Sequence, residues 1–284
     1  MILSMGDFVA HRINWEDKAK NIVDMTDELN IGLQSVVFFD DSSFERARVQ
    51  EMLPEVLVPE LPNDPTDYNA FLSKLRCFDT AHITKEDKIR ADLYKSESKR
   101  TKLKQKLKSL SDWIKTLDLT IIIENIKNEN TPRSVQLLNK TNQMNLSTRR
   151  LNEQEFNKWV QEDKNNLWTI RAADKFGDYG IVGIFSISIK DNVATLVDFI
   201  LSCRVVGRYI EETMIEFLKE FCYENNVNKI KGKYKKTEKN SLCYYFFNKL
   251  KLIDSNQHSF EFSSNQKKLN LLNIKVKKPT MEKK

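Results

Sequence analysis

Asp40 and Asp41 stand side by side where the apolar run Ser35-Val36-Val37-Phe38-Phe39 ends. Two adjacent carboxylates repel each other unless a cation or a hydrogen-bond donor compensates. A hard cation such as Mg2+, held by one or two carboxylates, water and a substrate phosphate, is one such compensation. A pair of helix N-cap acids without metal is the other, because acids at a strand–helix junction commonly cap. Lys18 lies one helix upstream, in Asn14-Trp15-Glu16-Asp17-Lys18. From there its ammonium could reach the same mouth and neutralise a phosphate as a point charge; a plain surface lysine is the alternative. Cys203 offers a second kind of chemistry. Beside Arg204 its thiol is in a setting that favours thiolate, suited to holding an acyl thioester in transit; a buried, inert cysteine is the simpler reading. Asn139-Lys140-Thr141-Asn142-Gln143 and Arg149-Arg150 are dense in hydrogen-bonding groups and could line a cleft or cap helices.

The elements that must position these groups follow from periodicity. Trp15 to Leu29 has a helical apolar side, and Gly32 is placed to end it as a left-handed cap. The run Ser35–Phe39 reads as a strand buried on both faces of a parallel sheet, with ligands expected outside its carboxyl end. Ser42 or Ser43 can cap a helix through Met52, and Val56-Leu57-Val58 is a second short buried strand. Asp64–Leu75 and Lys85–Leu110 read as helices, the second strongly charged and taken as a connector. From near Leu117 the pattern becomes strand (Leu119–Ile123), two helices (Arg133–Lys140, Glu153–Gln161) and three strands (Trp168–Ala172, Ile181–Ile189, Val193–Leu201). Asp191-Asn192 forms the hairpin turn between the last two. Helix Arg208–Asn225, strand Lys229–Lys233, helix Asn240–Lys249 and strand Phe260–Phe262 complete the series, followed by a Lys/Asn-rich tail expected to be loose. The fold class is therefore α/β followed by α+β, divided as 1–78, a charged connector 79–116, a second domain 117–264 and a tail 265–284.

Composition narrows the classes. The 284 residues are 40% apolar and 30% charged, a balance that supports packed cores. The net charge of +6 is local, concentrated in Lys95–Lys108 and from Lys267 to Lys284. That pattern fits a solvated helix and tail rather than the single basic face nucleic acid requires. No stretch approaches the ~20 apolar residues that span a bilayer, and no basic region followed by an apolar run opens the chain. Four cysteines without CxxC spacing read as reduced thiols in a cytoplasm. Three scattered histidines, His11, His82 and His258, argue against a histidine-rich metal site.

The segments INWEDKAKNI, LNIGLQSVVFFDDSSFER and PEVLVPELPNDPTDY closely resemble consecutive stretches of FkbH-like proteins, the IIIC subfamily of the haloacid dehalogenase (HAD) superfamily. RSVQLLNKTNQMNLSTRRL and FILSCRVVGRYIEE resemble further stretches of the same family, in the same order, to about Phe262. The resemblance implies that Asp40 and Asp41 match the acidic metal motif and Lys18 the lysine that steadies nucleophile and phosphate. Ser42, Ser43, Glu45 and Arg46 would complete that motif's loop. It also implies an Asp-x-Asp pair on an earlier strand, whose first aspartate attacks phosphorus; nothing before Asp40 ends a strand that way, and Ser4 lies just past the expected serine or threonine motif. The chain thus corresponds to the C-terminal part of such a protein. A sheet without its central first strand is expected to be poorly stable alone, and covalent phosphoryl transfer is not expected without the nucleophile.

The second domain's element order resembles the GNAT acyltransferase fold, which binds an acyl-CoA pyrophosphate at a helix N-terminus. The corresponding turn here is Arg204-Val205-Val206-Gly207-Arg208-Tyr209, with one glycine and with Tyr209 where a small residue is expected. The resemblance implies a phosphopantetheine arm of a carrier protein, or CoA, near Arg204, Gly207 and Arg208. Asn240 and Tyr244 or Tyr245 resemble the late Asn…Tyr pair facing pantetheine, with core packing the alternative for the tyrosines. Taken together, the family implies Mg2+-dependent phosphatase and glyceryl transfer from a phosphorylated three-carbon intermediate to an acyl carrier protein, in polyketide or surface-polysaccharide biosynthesis. A separate N-terminal HAD half is a further implied partner. A catalytically inactive carrier-binding module and a GNAT-type acyltransferase are the rival readings.

Overall fold

The computed structural model describes residues 4–29, 31–79, 90–107, 109–250, 252–254, 259–266, 269 and 274–279. The chain divides into two compact units, Met1–Lys102 and Leu103–Lys284.

The first unit is α/β on a small scale. Helices α1 (Lys18–Leu29) and α2 (Ser43–Met52) pack around Ala19, Ile22, Val49, Leu53 and Val56. Ser42 caps α2 by accepting from the amide of Glu45, as its position before the helix predicts. The expected parallel pairing is present but minimal. Val37 bridges Leu57 in parallel, with Phe38 N donating to Leu57 O at 2.9 Å and Leu57 N to Val36 O at 3.1 Å. The expectation of a strand buried on both faces is corrected here. Val36, Val37 and Phe38 are only half-buried, and among the described residues the single bridge to Leu57 is the only strand pairing this run makes. Leu33–Ser35 is a short 3-10 turn, and Gly32 is extended with φ −82°, not the left-handed cap expected of it. α1 begins three residues later than the apolar pattern implied, leaving Trp15 fully exposed. Asp64 caps the 3-10 turn Pro65–Asp67, and α3 (Tyr68–Lys74) follows. Helix α4 (Arg90–Gln105) spans the boundary of the units; its expected start at Lys85, like His82, lies outside the described residues.

The second unit opens with α5 (Leu110–Leu117). It then has β1 (Thr120–Asn125), α6 (Thr131–Lys140), β2 (Met144–Asn145), α7 (Glu153–Gln161), β3 (Asn165–Asp174), β4 (Gly177–Lys190) and β5 (Val193–Leu201). α8 (Ile210–Glu224), β6 (Lys229–Lys233), α9 (Ser241–Lys249), β7 (Ile253–Asp254), β8 (Ser259–Ser263) and β9 (Lys275–Lys277) complete it. The sheet order is β7-β8-β6-β5-β4-β3-β1-β9. β5 and β6 run parallel, as do β1 and β9; the other pairs are antiparallel. This is the GNAT-like α+β arrangement expected from the element order. Asp191 and Asn192 both take positive φ (51° and 57°), as a two-residue hairpin turn demands. One sheet face packs Trp168, Phe185, Phe217 and Phe221 into an aromatic cluster under α8, with Trp168 and Phe221 centroids 4.7 Å apart. The other buries Leu137, Leu138 and Phe156 of α6 and α7. The loose tail expected after Ser264 differs in one place. Lys275–Lys277 adds an edge strand to β1, its single apolar residue Val276 turned toward the core between two exposed lysines. Among the described residues no helix is long and apolar enough to cross a membrane.

Candidate functional site

In the first unit, the start of α1 and the end of the Val36–Phe39 run bring Lys18 and Asp40 together. Lys18 Nζ lies 2.5 Å from Asp40 Oδ2, and Ser42 N donates to Asp40 Oδ1 at 3.0 Å. Asp40 is largely covered, its side chain 11% exposed against 43% for Lys18. Burial pushes the Asp40 carboxyl up, but the Lys18 hydrogen bond and charge, with the Ser42 amide, outweigh it and hold the group below its ordinary value. The Lys18 ammonium is correspondingly raised, chiefly by its hydrogen bond to Asp40. Asp41 points its residue surface to solvent.

The loop carrying the two aspartates is fixed from behind. Arg46, buried in α2, donates through Nη1 to the carbonyls of Asp40 (2.8 Å) and Asp41 (3.0 Å), and through Nη2 to Glu60 (2.9 Å). On the other side, Arg48 pairs with Asp17 and ties α2 to the turn before Lys18. Asn14 and Asn21 exchange side-chain hydrogen bonds that shape the same turn. A guanidinium on two consecutive carbonyls orients both carboxylates without using either one. Sequence reading placed Arg46 in this loop but gave it no task; its position six residues after Asp40, in the first turn of α2, was the available signal. Ser4 lies apart from this chemistry as a local cap, its hydroxyl donating to Asp7 at 2.9 Å.

The donor set fits a hard cation. It consists of oxygen alone, and Mg2+ is commonly held by one or two carboxylates with water and phosphate completing the shell. Among the described residues no group of three or more His, Cys, Asp or Glu gathers as a closed metal cage.

In the second unit, the residues expected around a pantetheine arm are mostly committed to the fold. Arg208 is buried, 2% exposed, donating to the Tyr179 hydroxyl, which donates to Asp174 at 2.6 Å. Its guanidinium also lies 5.4 Å from the Trp113 ring centroid. Asn240 is fully buried. It accepts from Tyr234 (2.7 Å) and the Thr237 amide (2.8 Å), and donates to the carbonyls of Asn145 (3.0 Å) and Lys235 (2.8 Å). Arg208 and Asn240, expected to face a ligand, are thus buried and hydrogen-bonded to groups of the second unit itself. Tyr244 is half-buried against Tyr234, with centroids 5.5 Å apart, and Tyr245 is exposed. Cys203 and Arg204 lie half-buried in the 3-10 turn after β5, and Gly207 is exposed with φ +76°. Tyr209 takes φ +62°, a left-handed conformation that a small residue would hold more easily. Cys222 and Cys243 are buried and their thiols pushed up, Cys222 to about 12, so neither is a nucleophile at neutral pH. Arg149 and Asn139 pack locally. Arg149 pairs with the buried Asp198, and Asn139 exchanges hydrogen bonds with the backbone of Leu151.

Sequence reading missed Glu211. It is 3% exposed, and Oε1 accepts from Gly207 N at 2.7 Å. Burial, then Glu212, push its carboxyl up to about 7.

No family model matches the chain, and no curated protein matches it. Solved structures similar to it include the N-terminal part of a Bacteroides fragilis protein, containing a phosphatase domain complexed with Mg. It is 48% identical over 29% of this chain and 22% of that one, with a TM-score of 0.28. The chain therefore spans about a fifth of that structure's length. A GNAT-family acetyltransferase from Staphylococcus aureus is 11% identical over 51% of this chain and 100% of that one, with a TM-score of 0.39. The ribosomal-protein-S18-alanine N-acetyltransferase from Escherichia coli is 8% identical over 54% of this chain and 99% of that one, with a TM-score of 0.39. At these TM-scores the likenesses add nothing to what the strand order itself displays.

Proposed function

We propose that the chain belongs to an FkbH-like system, its first unit supplying the metal-binding and phosphate-supporting part of a phosphoryl-transfer site. The observation that carries this reading is the Lys18–Asp40 pair, with Asp41 exposed beside it and Arg46 holding both aspartate carbonyls. Asp40 orients Lys18, and Lys18 presents a cation with almost half its surface open, suited to a phosphate oxygen. Asp41, with Asp40 behind it, would hold Mg2+. When bound, that ion supplies the positive charge that stabilises transferring phosphoryl oxygens. The attacking carboxylate of an Asp-x-Asp strand is not among residues 1–39, so this reading assigns it to a HAD segment outside residues 1–284. The reaction is removal of phosphate and glyceryl transfer from a phosphorylated three-carbon intermediate to an acyl carrier protein.

Hydrolysis of p-nitrophenyl phosphate with MgCl2 tests this, using the chain alone and mixed with a HAD segment that carries the Asp-x-Asp strand. Turnover only in the mixture, removed by Asp41→Asn and by EDTA, supports the reading. Turnover that ignores Mg2+ or the substitution contradicts it.

For the second unit, a binding module serves better than an independent acyltransferase. The burial of Arg208 and Asn240 among partners of the fold favours this, and the half-buried Arg204 and Tyr244 with the exposed Tyr245 are the groups this reading assigns to a carrier protein.

A further inference from the structure

β5 and β6 pair in parallel only from Val193↔Lys229 to Leu196↔Gly232. Beyond Leu196 the two strands part, and the gap is filled by the chain itself. Met144 and Asn145 pair antiparallel with Leu201 and Ile200, and Leu146 N donates to Phe199 O at 3.2 Å. On its other side the same segment is held by the continuation of β6: Lys235 N donates to Leu146 O at 3.0 Å, and Asn240 Nδ2 to Asn145 O. Met144, Asn145 and Leu146 are wholly buried. The backbone groups that a threaded amide chain would need from β5 are thus already used by an internal strand.

At the same end of β5 the turn leads into α8, whose 15 residues give a helix N-terminus with positive partial charge. The N-cap residue Tyr209 offers no side-chain cap. Glu211 instead folds its carboxylate back onto Gly207 N, while its second oxygen, Oε2, is buried with no hydrogen-bond partner among the described residues. A half-satisfied buried carboxylate is costly. A fold needing only a cap would do better with serine or asparagine at the N-cap. The charged groups about it are Glu212, which disfavours its charge, and Lys249, which pairs with Glu212 at 3.7 Å and favours it.

We propose that the turn at the start of α8 is a phosphoryl-anion seat occupied by the chain's own Glu211, and that Met144–Leu146 closes the adjoining strand gap. The second unit is therefore self-occupied and takes up neither an acyl-CoA nor a pantetheine arm along β5. The inference concerns the second unit alone and stands or falls independently of Lys18 and Asp40.

Calorimetric titration of the full chain with inorganic pyrophosphate and with CoA tests it, comparing wild type, Glu211→Ala and Glu211→Gln. The expected result is no saturable binding by wild type and a gain of roughly tenfold or more in pyrophosphate affinity on removing the carboxylate. Glu211→Gln keeps the acceptor for Gly207 and reports the charge alone should Glu211→Ala fold poorly. Tight CoA binding by wild type overturns the proposal, as does the lack of a pyrophosphate gain in both variants. Hydrogen exchange provides a separate reading of the strand seal. Leu146 and Lys235 amides should be strongly protected and unchanged by CoA; exchange as fast as in exposed loops overturns it.

Discussion

Lys18 Nζ sits 2.5 Å from Asp40 Oδ2, across 22 residues of sequence, and the two charges depend on each other. Asp40 is held below its ordinary value of 3.8, so its contribution to stability is present above that pH and is lost as pH falls through its depressed folded value. Lys18 is held above 10.5, so its contribution is complete below that pH and is lost as pH rises through its raised value. Lys18→Met should destabilise the first unit at neutral pH by about 1 kcal/mol, the scale for a partly exposed pair. The effect should vanish in strong acid, where Asp40 is protonated. Urea dependence of amide exchange in α1 and α2 measures this; an equal penalty at acid and neutral pH would refute the pairing.

Glu211 behaves in the opposite sense. Its carboxyl is raised from 4.5 to about 7, so the folded state binds a proton more tightly than the unfolded chain. Stability of the second unit should fall as pH rises from 4.5 to about 7 and then level off, at a cost of roughly 3 kcal/mol in order of magnitude. Glu211→Gln should remove that slope and stabilise the protein at pH ~8, where the native carboxylate is ionised. Thermal unfolding across pH checks it; a variant no more stable than wild type in mild alkali would argue that Glu211 is not strained.

Asn240 holds four partners drawn from two segments of the second unit, Tyr234, Lys235 and Thr237 on one and Asn145 on the other. Asn240→Ala leaves several buried groups unpaired and should cost roughly 3 kcal/mol or more. A fall in Tm with surface binding otherwise unchanged fits a structural residue. Unaltered Tm would return Asn240 to the role of a ligand contact.

Alkylation should separate the thiols. Under native conditions Cys77 is exposed and should react readily with iodoacetamide, whereas Cys222 and Cys243 should react only on unfolding. Mass spectrometry of the labelled chain reads the outcome, and native labelling of Cys243 would contradict its burial.

Legibility of the fold in the sequence depended on how local its causes are. Val193–Leu201 and Lys229–Lys233 form as read, because apolar alternation and the Asp191-Asn192 turn are written into adjacent residues. Val36–Phe39 carries the composition of a buried strand yet makes one bridge, since a parallel strand exists only through neighbours far along a chain. Val276 could not be read as a strand for the same reason: a Lys-Val-Lys triplet gains meaning only beside β1. At the site, acid and lysine residue types marked Asp40, Asp41 and Lys18. Glu211 looked like any acid in a first helical turn; only burial and the return of its carboxylate onto Gly207 distinguish it. Arg208 and Asn240 illustrate the converse. Their residue types suit phosphate or amide recognition, yet both are buried and hydrogen-bonded within the fold, and nothing short of their neighbours reveals that.

The most direct test of the central claim is a Mg2+ titration of the full chain followed by backbone amide NMR, with Asp41→Asn as the control. The account predicts saturable shifts centred on the Asp40–Ser43 amides and on α1 near Lys18, lost in Asp41→Asn. Shifts absent from that loop in the wild-type chain, or unchanged in Asp41→Asn, would contradict it.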